Sequence, residues 1–489
     1  MNFYFQAAKT LDRLDAKQGS IKGTLATLPE KDRKRTAALV IETLKYKAVL
    51  TDVVVASKLL KEEKKITTLN LALVLVHDLL LSNGIEAGDG PIKAAILRHK
   101  TRLHSEFQRL KIKRGAKSNQ ELAQPEDPRA VKIPRYVRVN TLLWTAEEAI
   151  QSFISRGFTP SESLRASLYS PFRKEFAQDQ HVPNLFLFSS QTQFQEDPAY
   201  KAGKLILQDK ASCFPALVLA PPSSDDGAVI DATAAPGNKT SHLSALMKGK
   251  GRLFAFERDQ KRFSTLQGML RKAGCKNVET INADFLSVSP DDKKYAAVTH
   301  ILLDPSCSGS GIVNRLDYLL EREDENEAVD TERLNKLSGF QLSMIRHAMK
   351  FPGVVKIAYS TCSIHAAENE RVVCQALNSE EAQASNYKLA PKEMVLPDWP
   401  RRGIPEEMDD AEQAPSVIRC RPGDDATNGF FVACFIKSEQ REIRDIGANT
   451  EKRKAQSGLD DTHEDVTPAR NDNADGKRKE KGKKRRRTS

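Results

Sequence analysis

The sequence predicts a doubly wound α/β core, preceded by a helical region and a small α+β region. Two observations carry this expectation. From Gly227 onward, β-rich runs alternate with helical stretches. Before residue 115, apolar residues recur at helical spacing with few strand signals.

Taken in order, residues 1–115 read as helical, most clearly over 35–50 and 66–81. A helix over 92–114 includes Lys100, Arg102, Arg109, Lys111, Lys113 and Arg114, which with Arg98 make it basic enough to lie along phosphates. Residues 116–133 are polar, contain Pro125 and Pro128, and read as a linker. Residues 134–225 form the α+β region before the core. There 135–140 alternates like a strand, and Thr145 with Glu148 makes a capping box for a helix through Ser155. Short strands are expected at 185–188 and 204–207. The core spans 226–438, with strands at 228–230, 252–256, 278–281, 298–303 and 354–359. Helices are expected at 241–247, 260–273, 331–349 and 366–377, and a closing antiparallel pair at 417–421 and 429–436. Residues 439–489 are polar and poor in aromatics, so disorder is expected.

The chain has 489 residues, 39% hydrophobic and 29% charged, enough for two or three domains with a sizeable core. Its seven cysteines form no Cys-x-x-Cys pair and no zinc spacing with histidine. A disulfide framework and a metal site are not expected, and a reducing, intracellular setting is. The first 14 residues lack a secretory apolar run, and 69–81 is too short to span a bilayer and contains His77 and Asp78. No membrane association is therefore expected. Net charge is +11, spread unevenly. Residues 1–140 carry 27 Lys/Arg against 15 Asp/Glu, and 477–487 carry nine against one, so the rest is acidic. A polyanion gripped by the N-terminal region fits this asymmetry, and a solvated lysine-rich surface is the plainer reading.

Four motifs carry chemistry. Asp231-Ala-Thr-Ala-Ala-Pro-Gly-Asn-Lys-Thr240 follows the first core strand and opens a helix. Small residues and Gly237 let backbone approach a ligand. It is neither a phosphate P-loop nor a dinucleotide Gly-x-Gly-x-x-Gly. Glu257, Asp284 and Asp304 then fall at the ends of three successive strands. Each alone reads as a surface or turn acid; together they describe an adenosine-type cofactor across the sheet's edge. Asp304-Pro-Ser-Cys-Ser-Gly-Ser-Gly311 places an acid and Cys307 in a glycine-rich loop, and Tyr359-Ser-Thr-Cys-Ser363 places Cys362 after the fifth strand. Cys213, Cys275, Cys374, Cys420 and Cys434 read as structural.

These motifs, in this order, resemble the Nop/Sun family of RNA cytosine-5 methyltransferases over roughly 130–437. Gln18-Gly-Ser-Ile-Lys-Gly23, Leu207-Gln-Asp-Lys-Ala-Ser-Cys213, the Asn-Lys-Thr ending of the first motif and the Pro-Ser-Cys form of the third resemble its eukaryotic branch acting on large-subunit ribosomal RNA. The resemblance implies a Rossmann-like, S-adenosylmethionine-dependent methyltransferase core. It implies that Thr233, Ala234, Ala235, Pro236, Gly237, Asn238 and Lys239 cradle the cofactor. By the same resemblance Glu257 holds the ribose, Asp284 the adenine side, and Asp304 the cofactor or the target cytosine. Cys362 resembles the nucleophile and Cys307 the cysteine that assists product release. Most of the wider family has Pro-Pro-Cys; Ser306 departs from that, as the close branch does.

The implied chemistry needs an activated thiolate, because carbon 5 of cytosine does not attack a methyl sulfonium unaided. Addition of Cys362 at carbon 6 makes carbon 5 nucleophilic, and a protonated Asp304 is expected to donate to the ring nitrogen. Cys307, or a water it positions, is expected to help remove the carbon-5 proton. A DNA cytosine-5 methyltransferase would place Pro-Cys in the third motif, which Ser306 interrupts. A non-catalytic RNA-binding assembly factor would not need Cys362, Cys307 and Asp304, and a transfer-RNA substrate stays open. The expected partner is ribosomal RNA of the large subunit or a pre-ribosomal particle, met by a monomer in the nucleolus. The basic run 477–487 reads as a nuclear-localisation signal or a nonspecific nucleic-acid patch, and a nucleolar substrate agrees with the first.

Overall fold

The computed structural model describes residues 1–86, 88–125, 127–161, 174–314, 316–320 and 327–438. The tail expected to be disordered lies outside the described residues. The chain begins with α1 (Asn2–Asp15), α2 (Ile21–Ala26), α3 (Glu30–Lys45), α4 (Lys47–Ala56), α5 (Leu59–Glu62), α6 (Leu69–Leu81), α7 (Pro91–Arg98) and α8 (Lys100–Lys113). α6 is apolar on every side and buried from Asn70 to Leu80, so it is the centre of this region. α1, α3, α4 and α8 pack around it. It starts later than the apolar pattern suggests because Thr68 caps it, accepting from the Leu71 amide at 3.1 Å.

Two expected single helices are broken. The stretch 35–50 divides at Tyr46, and 92–114 divides at His99, whose backbones both leave helical geometry. At His99 the cause is a buried acid: Glu63 holds the ring at 3.1 Å and the Arg98 guanidinium at 2.7 and 2.9 Å. The basic stretch is also not a free stripe. Arg98 pairs with Glu63, Arg102 with Glu62, Arg109 with Glu106 and Arg114 with Asp52, while Lys111 donates to Asn119. Much of the charge assigned to phosphate from sequence is thus engaged within the helical region.

Next come β1 (Arg135–Val139), α9 (Ala146–Ser155), β2 (Thr159–Pro160), β3 (Glu175–Gln178), β4 (Leu185–Phe188), α10 (Pro198–Lys201) and β5 (Leu205–Leu207). The strands form a sheet in the order β2-β3-β4-β1-β5, with β1 antiparallel to both neighbours. The capping box of Thr145 and Glu148 is present at the start of α9. Phe153, Phe176, Phe186, Phe188 and Phe194 fill the space between α9 and the sheet.

α11 (Lys210–Leu219) leads into the core and has no counterpart in the sequence reading, because Pro215 interrupts the helical pattern. The core contains β6 (Ala228–Asp231), α12 (Asn238–Leu246), β7 (Arg252–Phe256), α13 (Gln260–Lys272), β8 (Val278–Ile281), β9 (Val298–Leu303) and α14 (Glu327–Met349). β10 (Lys356–Thr361), α15 (Glu370–Leu377), α16 (Glu380–Ala384), β11 (Tyr387–Leu389), β12 (Ile418–Cys420) and β13 (Phe430–Lys437) complete it. The sheet order is β11-β13-β10-β9-β6-β7-β8, with β12 beside β13. β8 through β10 are parallel neighbours, and β13 runs antiparallel between β10 and β11. The expected late pair does form, yet β13 pairs over a longer register with β10 than with β12. Strand order reverses at β6, between β9 and β7, which opens a crevice at their carboxyl ends. Among the described residues no helix is long and apolar enough to cross a membrane.

The helical region touches the core through a 3₁₀ turn, Leu316–Leu320. Leu319 is buried in the helical core, and the Gln124 amide donates to the Tyr318 carbonyl at 2.8 Å. This turn shortly follows the Cys307 loop in sequence. Leu319→Ala is expected to cost about 2–4 kcal/mol, the scale for truncating a buried leucine. Chemical denaturation should show the lowered midpoint; an unchanged midpoint would mean that the turn is not an anchor.

Candidate active site

β6 ends at Asp231, and the chain turns through 232–237 before α12. Two amides secure the turn: Ala232 donates to the Leu302 carbonyl at 3.0 Å and Ala234 to the Phe256 carbonyl at 2.8 Å. The Ala235–Pro236 peptide is cis. Gly237 has φ +113°, and a Cβ there would press on Met269 at 3.0 Å and Leu266 at 3.3 Å. Glu257, one residue past β7, is 5% exposed. Its Oε1 accepts from the Asp259 amide at 2.9 Å, and Arg262 lies 3.3 Å from Oε2 while donating to the Ala235 carbonyl at 2.8 Å. Asp284, beyond β8, is more open; it caps the Leu286 amide at 3.0 Å and faces Arg258 at 3.4 Å.

Asp304 follows β9 and joins three of the sequence motifs. Its Oδ2 receives the Lys239 ammonium at 2.7 Å, and its Oδ1 the Ser360 hydroxyl at 2.6 Å. Its amide donates to Thr233 Oγ1 at 3.0 Å. Lys239 also donates to Ser212 Oγ at 3.1 Å. Burial alone pulls the Lys239 ammonium down, but the Asp304 carboxylate and its hydrogen bond, then Cys362 and Asp231, outweigh it and leave it raised. Burial pushes Asp231 up to about 6, with help from Asp304 and against hydrogen bonds from Thr240 and Thr233. The sequence reading gave Asp304 a proton to donate. In this structure both of its oxygens accept, from Lys239 and from Ser360.

The two cysteines meet. Cys307 Sγ and Cys362 Sγ lie 3.1 Å apart, within hydrogen-bond range for sulfur and far beyond a disulfide bond of about 2 Å. The Cys307 thiol is pushed far up by its hydrogen bond to Cys362, by burial, and by the negative charge of Cys362 and Asp304. This disfavours a thiolate at Cys307. At the other cysteines burial disfavours the thiolate: it raises the Cys213 and Cys434 thiols to about 12 and also raises Cys275, Cys374 and Cys420.

One positioning group carried no sequence signal beyond its place in an alternating strand. Arg138 on β1 is 1% exposed. It donates to Gln208 at 2.8 Å, to Ser241 Oγ at 2.9 Å and to the Asn238 carbonyl at 3.3 Å. Burial lowers its guanidinium to about 10. Through it the small sheet braces the start of α12, and Gln208 passes the contact to the Ser212 carbonyl at 3.0 Å. Among the described residues no group of three or more His, Cys, Asp or Glu side chains is placed to hold a metal.

The chain is similar to known proteins over most of its described length. The family model for the 16S rRNA methyltransferase RsmB/F matches residues 216–436. Models for the N-terminal and ferredoxin-like domains of NOL1/NOP2/Sun domain family member 5 match 34–123 and 133–208. The 25S rRNA (cytosine-C(5))-methyltransferase rcm1 of Schizosaccharomyces pombe is 46% identical over 443 residues, covering 90% of this chain and 93% of that protein. The 28S rRNA (cytosine-C(5))-methyltransferase of Mus musculus is 42% identical over 446 residues, covering 90% and 92%. The crystal structure of PH0851 superposes with a TM-score of 0.55 at 22% identity, over 84% of this chain and 91% of that one, and shows the shared fold.

Lys239 is the cation beside the cysteine pair, so Lys239→Met should move the alkylation profile of Cys362 to higher pH. Iodoacetamide labelling followed by mass spectrometry reads this directly. A profile that does not move would detach Lys239 from thiolate stabilisation.

Proposed function

Because the chain belongs to the NOL1/NOP2/Sun family of RNA cytosine-5 methyltransferases, we propose that it methylates carbon 5 of a cytosine in large-subunit ribosomal RNA. The observation that carries this reading is the cysteine pair at 3.1 Å, set beside the Lys239–Asp304 ion pair at the crevice of the sheet.

The crevice suits S-adenosylmethionine. A turn of small residues closed by Gly237 leaves room for close approach, and Glu257 is a buried acid at the next strand end, as a ribose diol requires. Residues 233–239, Glu257 and Asp284 would hold the cofactor, with Asp304 at the boundary between cofactor and target base. Bound there, the cofactor supplies an electrophilic methyl group. Cys362, with Lys239 stabilising its thiolate, forms a bond from Sγ to carbon 6 of the cytosine, and carbon 5 becomes nucleophilic. The Lys239–Asp304 pair offers a proton to the ring as charge develops. After methylation the carbon-5 proton leaves to a base, and the carbon 6–Sγ bond breaks. Cys307, held as a thiol, donates to Cys362 and stabilises it as the leaving thiolate. This reading needs neither a metal nor a second copy of the chain. The target cytosine must be unpaired or flipped out to reach the sulfur.

The choice of large-subunit RNA rests on the substrates named for the yeast and mouse relatives. Such a substrate is made and first assembled in the nucleolus. Nine Lys/Arg in 477–487 would supply a nuclear address. Removing 439–489 should move the protein out of the nucleus while leaving turnover on purified RNA nearly intact. A nuclear truncated protein would remove that role from the tail.

Bisulfite sequencing of total RNA with and without this protein should lose one ribosomal 5-methylcytosine; loss confined to transfer RNA would replace the substrate. Cys362→Ala is expected to abolish transfer, and Cys307→Ala to accumulate a covalent protein–RNA adduct seen as a shifted band on denaturing gels. Normal turnover by Cys362→Ala would exchange the two roles.

A further inference from the structure

Glu368 is a buried carboxylate that the reaction itself does not use. It lies in a 3₁₀ turn, Ala366–Glu368, between β10 and α15, and is fully buried. Among the described residues no lysine, arginine or histidine forms an ion pair with it. Its charge is met by hydrogen bonds alone. Oε1 accepts from the Ser308 amide at 2.9 Å and from Gln341 Nε2 at 3.0 Å, and Oε2 from the Ser308 hydroxyl at 2.6 Å. Its backbone carbonyl accepts from the Tyr359 hydroxyl at 2.6 Å. An uncompensated charge at such depth is costly, so its place here calls for a reason.

The reason lies in what it joins. Ser308 is the neighbour of Cys307, and Ser363 is the neighbour of Cys362. Ser308 Oγ lies 3.1 Å from Ser363 Oγ and from Ser310 Oγ, and Ser310 lies 3.2 Å from Ser363. Ser308 has one hydroxyl proton, and the short contact to Glu368 takes it. Ser308 Oγ in turn accepts from the Ser310 amide at 3.4 Å. Glu368 thus ties Ser308, through its amide and hydroxyl, into the cluster of serines that flank both cysteines. Ser310 also accepts from the Ile364 amide at 3.1 Å, and Ser363 from the His365 amide at 3.0 Å. Gln341, on α14, donates in addition to the Ser306 carbonyl at 3.1 Å. The loops bearing the two cysteines are therefore one hydrogen-bonded body with Glu368 at its root.

We propose that Glu368 is the positioning residue that clamps the Cys307 loop to the Cys362 loop, keeping the second thiol against the nucleophile. The functional consequence rests on the methyl-transfer reading above; the clamp itself does not. An amide at 368 keeps the shape but can place an N–H₂ where the Ser308 hydroxyl now donates, which weakens the clamp without emptying its space.

The test measures sulfur apposition apart from methylation. Full-length protein is treated with diamide, an azo oxidant that takes up two thiol hydrogens as it joins the sulfurs. Mass spectrometry follows formation of the Cys307–Cys362 disulfide. Glu368→Ala should slow cross-linking about tenfold or more, since small displacements of reacting groups have effects on that scale. It should lower kcat similarly, with S-adenosylmethionine affinity within about twofold of wild type. Glu368→Gln should fall between the two. If Glu368→Ala proves unstable, Ser308→Ala removes one bond of the clamp and should shift both rates in the same direction. Wild-type cross-linking and turnover in Glu368→Ala, or in Ser308→Ala if that variant must serve, would overturn the clamp. Slowed cross-linking in an enzyme that methylates no RNA would keep the clamp and overturn the methyl-transfer reading.

Discussion

The pairing of Lys239 with Asp304 is the contact on which the site depends. Each ion alone would be expensive in this crevice, and each is stable because the other is 2.7 Å away. Hydrogen bonds complete the pair: Ser212 on the lysine, Ser360 on the carboxylate, and the Asp304 amide on Thr233. Those partners come from α11, β10 and the turn after β6, so a single ion pair fixes the relative position of the first, third and fourth motifs. It also sets a cation close to Cys362, where a thiolate must form.

Two sheets converge on that pair, and a helical region is anchored further along the chain. The parallel sheet provides the crevice, because order reverses between β9 and β7 around β6. The small sheet provides Arg138, whose guanidinium reaches across to Asn238 and Ser241 at the start of the helix that carries Lys239. The helical region holds Leu319, shortly after the Cys307 loop. The contacts of Arg138 end at the start of the helix that carries Lys239, so the small sheet supports the site.

What was legible in the sequence was local. Strands such as 252–256, 278–281 and 298–303 read correctly because β-rich runs end at turn residues, and the capping box of Thr145 and Glu148 announces its helix. The breaks at Tyr46 and His99 were not legible, since His99 is held by Glu63, 36 residues away. β11 is three residues long and exists because β13 pairs with it. The resemblance marked the residues of the crevice, but not their contacts. That Lys239 donates to Asp304, that Arg138 is buried among neutral partners, and that acids engage most of the basic helix are all long-range facts. Residue type and spacing do not contain them.

The two cysteines are chemically distinct although they are the same residue type. A pair of thiols 3.1 Å apart does not lose two protons readily, because the first thiolate raises the other through charge and through the hydrogen bond it accepts. The asymmetry then depends on surroundings. Asp304 adds negative charge near Cys307, while Lys239 favours a negative Cys362. One thiolate at Cys362 beside one thiol at Cys307 is the state the proposed reaction needs at both ends. In the proposed reaction Cys362 would begin as the nucleophile and finish as a leaving group. The same neighbouring S–H that tempers its nucleophilicity at the start makes its departure easier at the end, so one geometric arrangement serves addition and release.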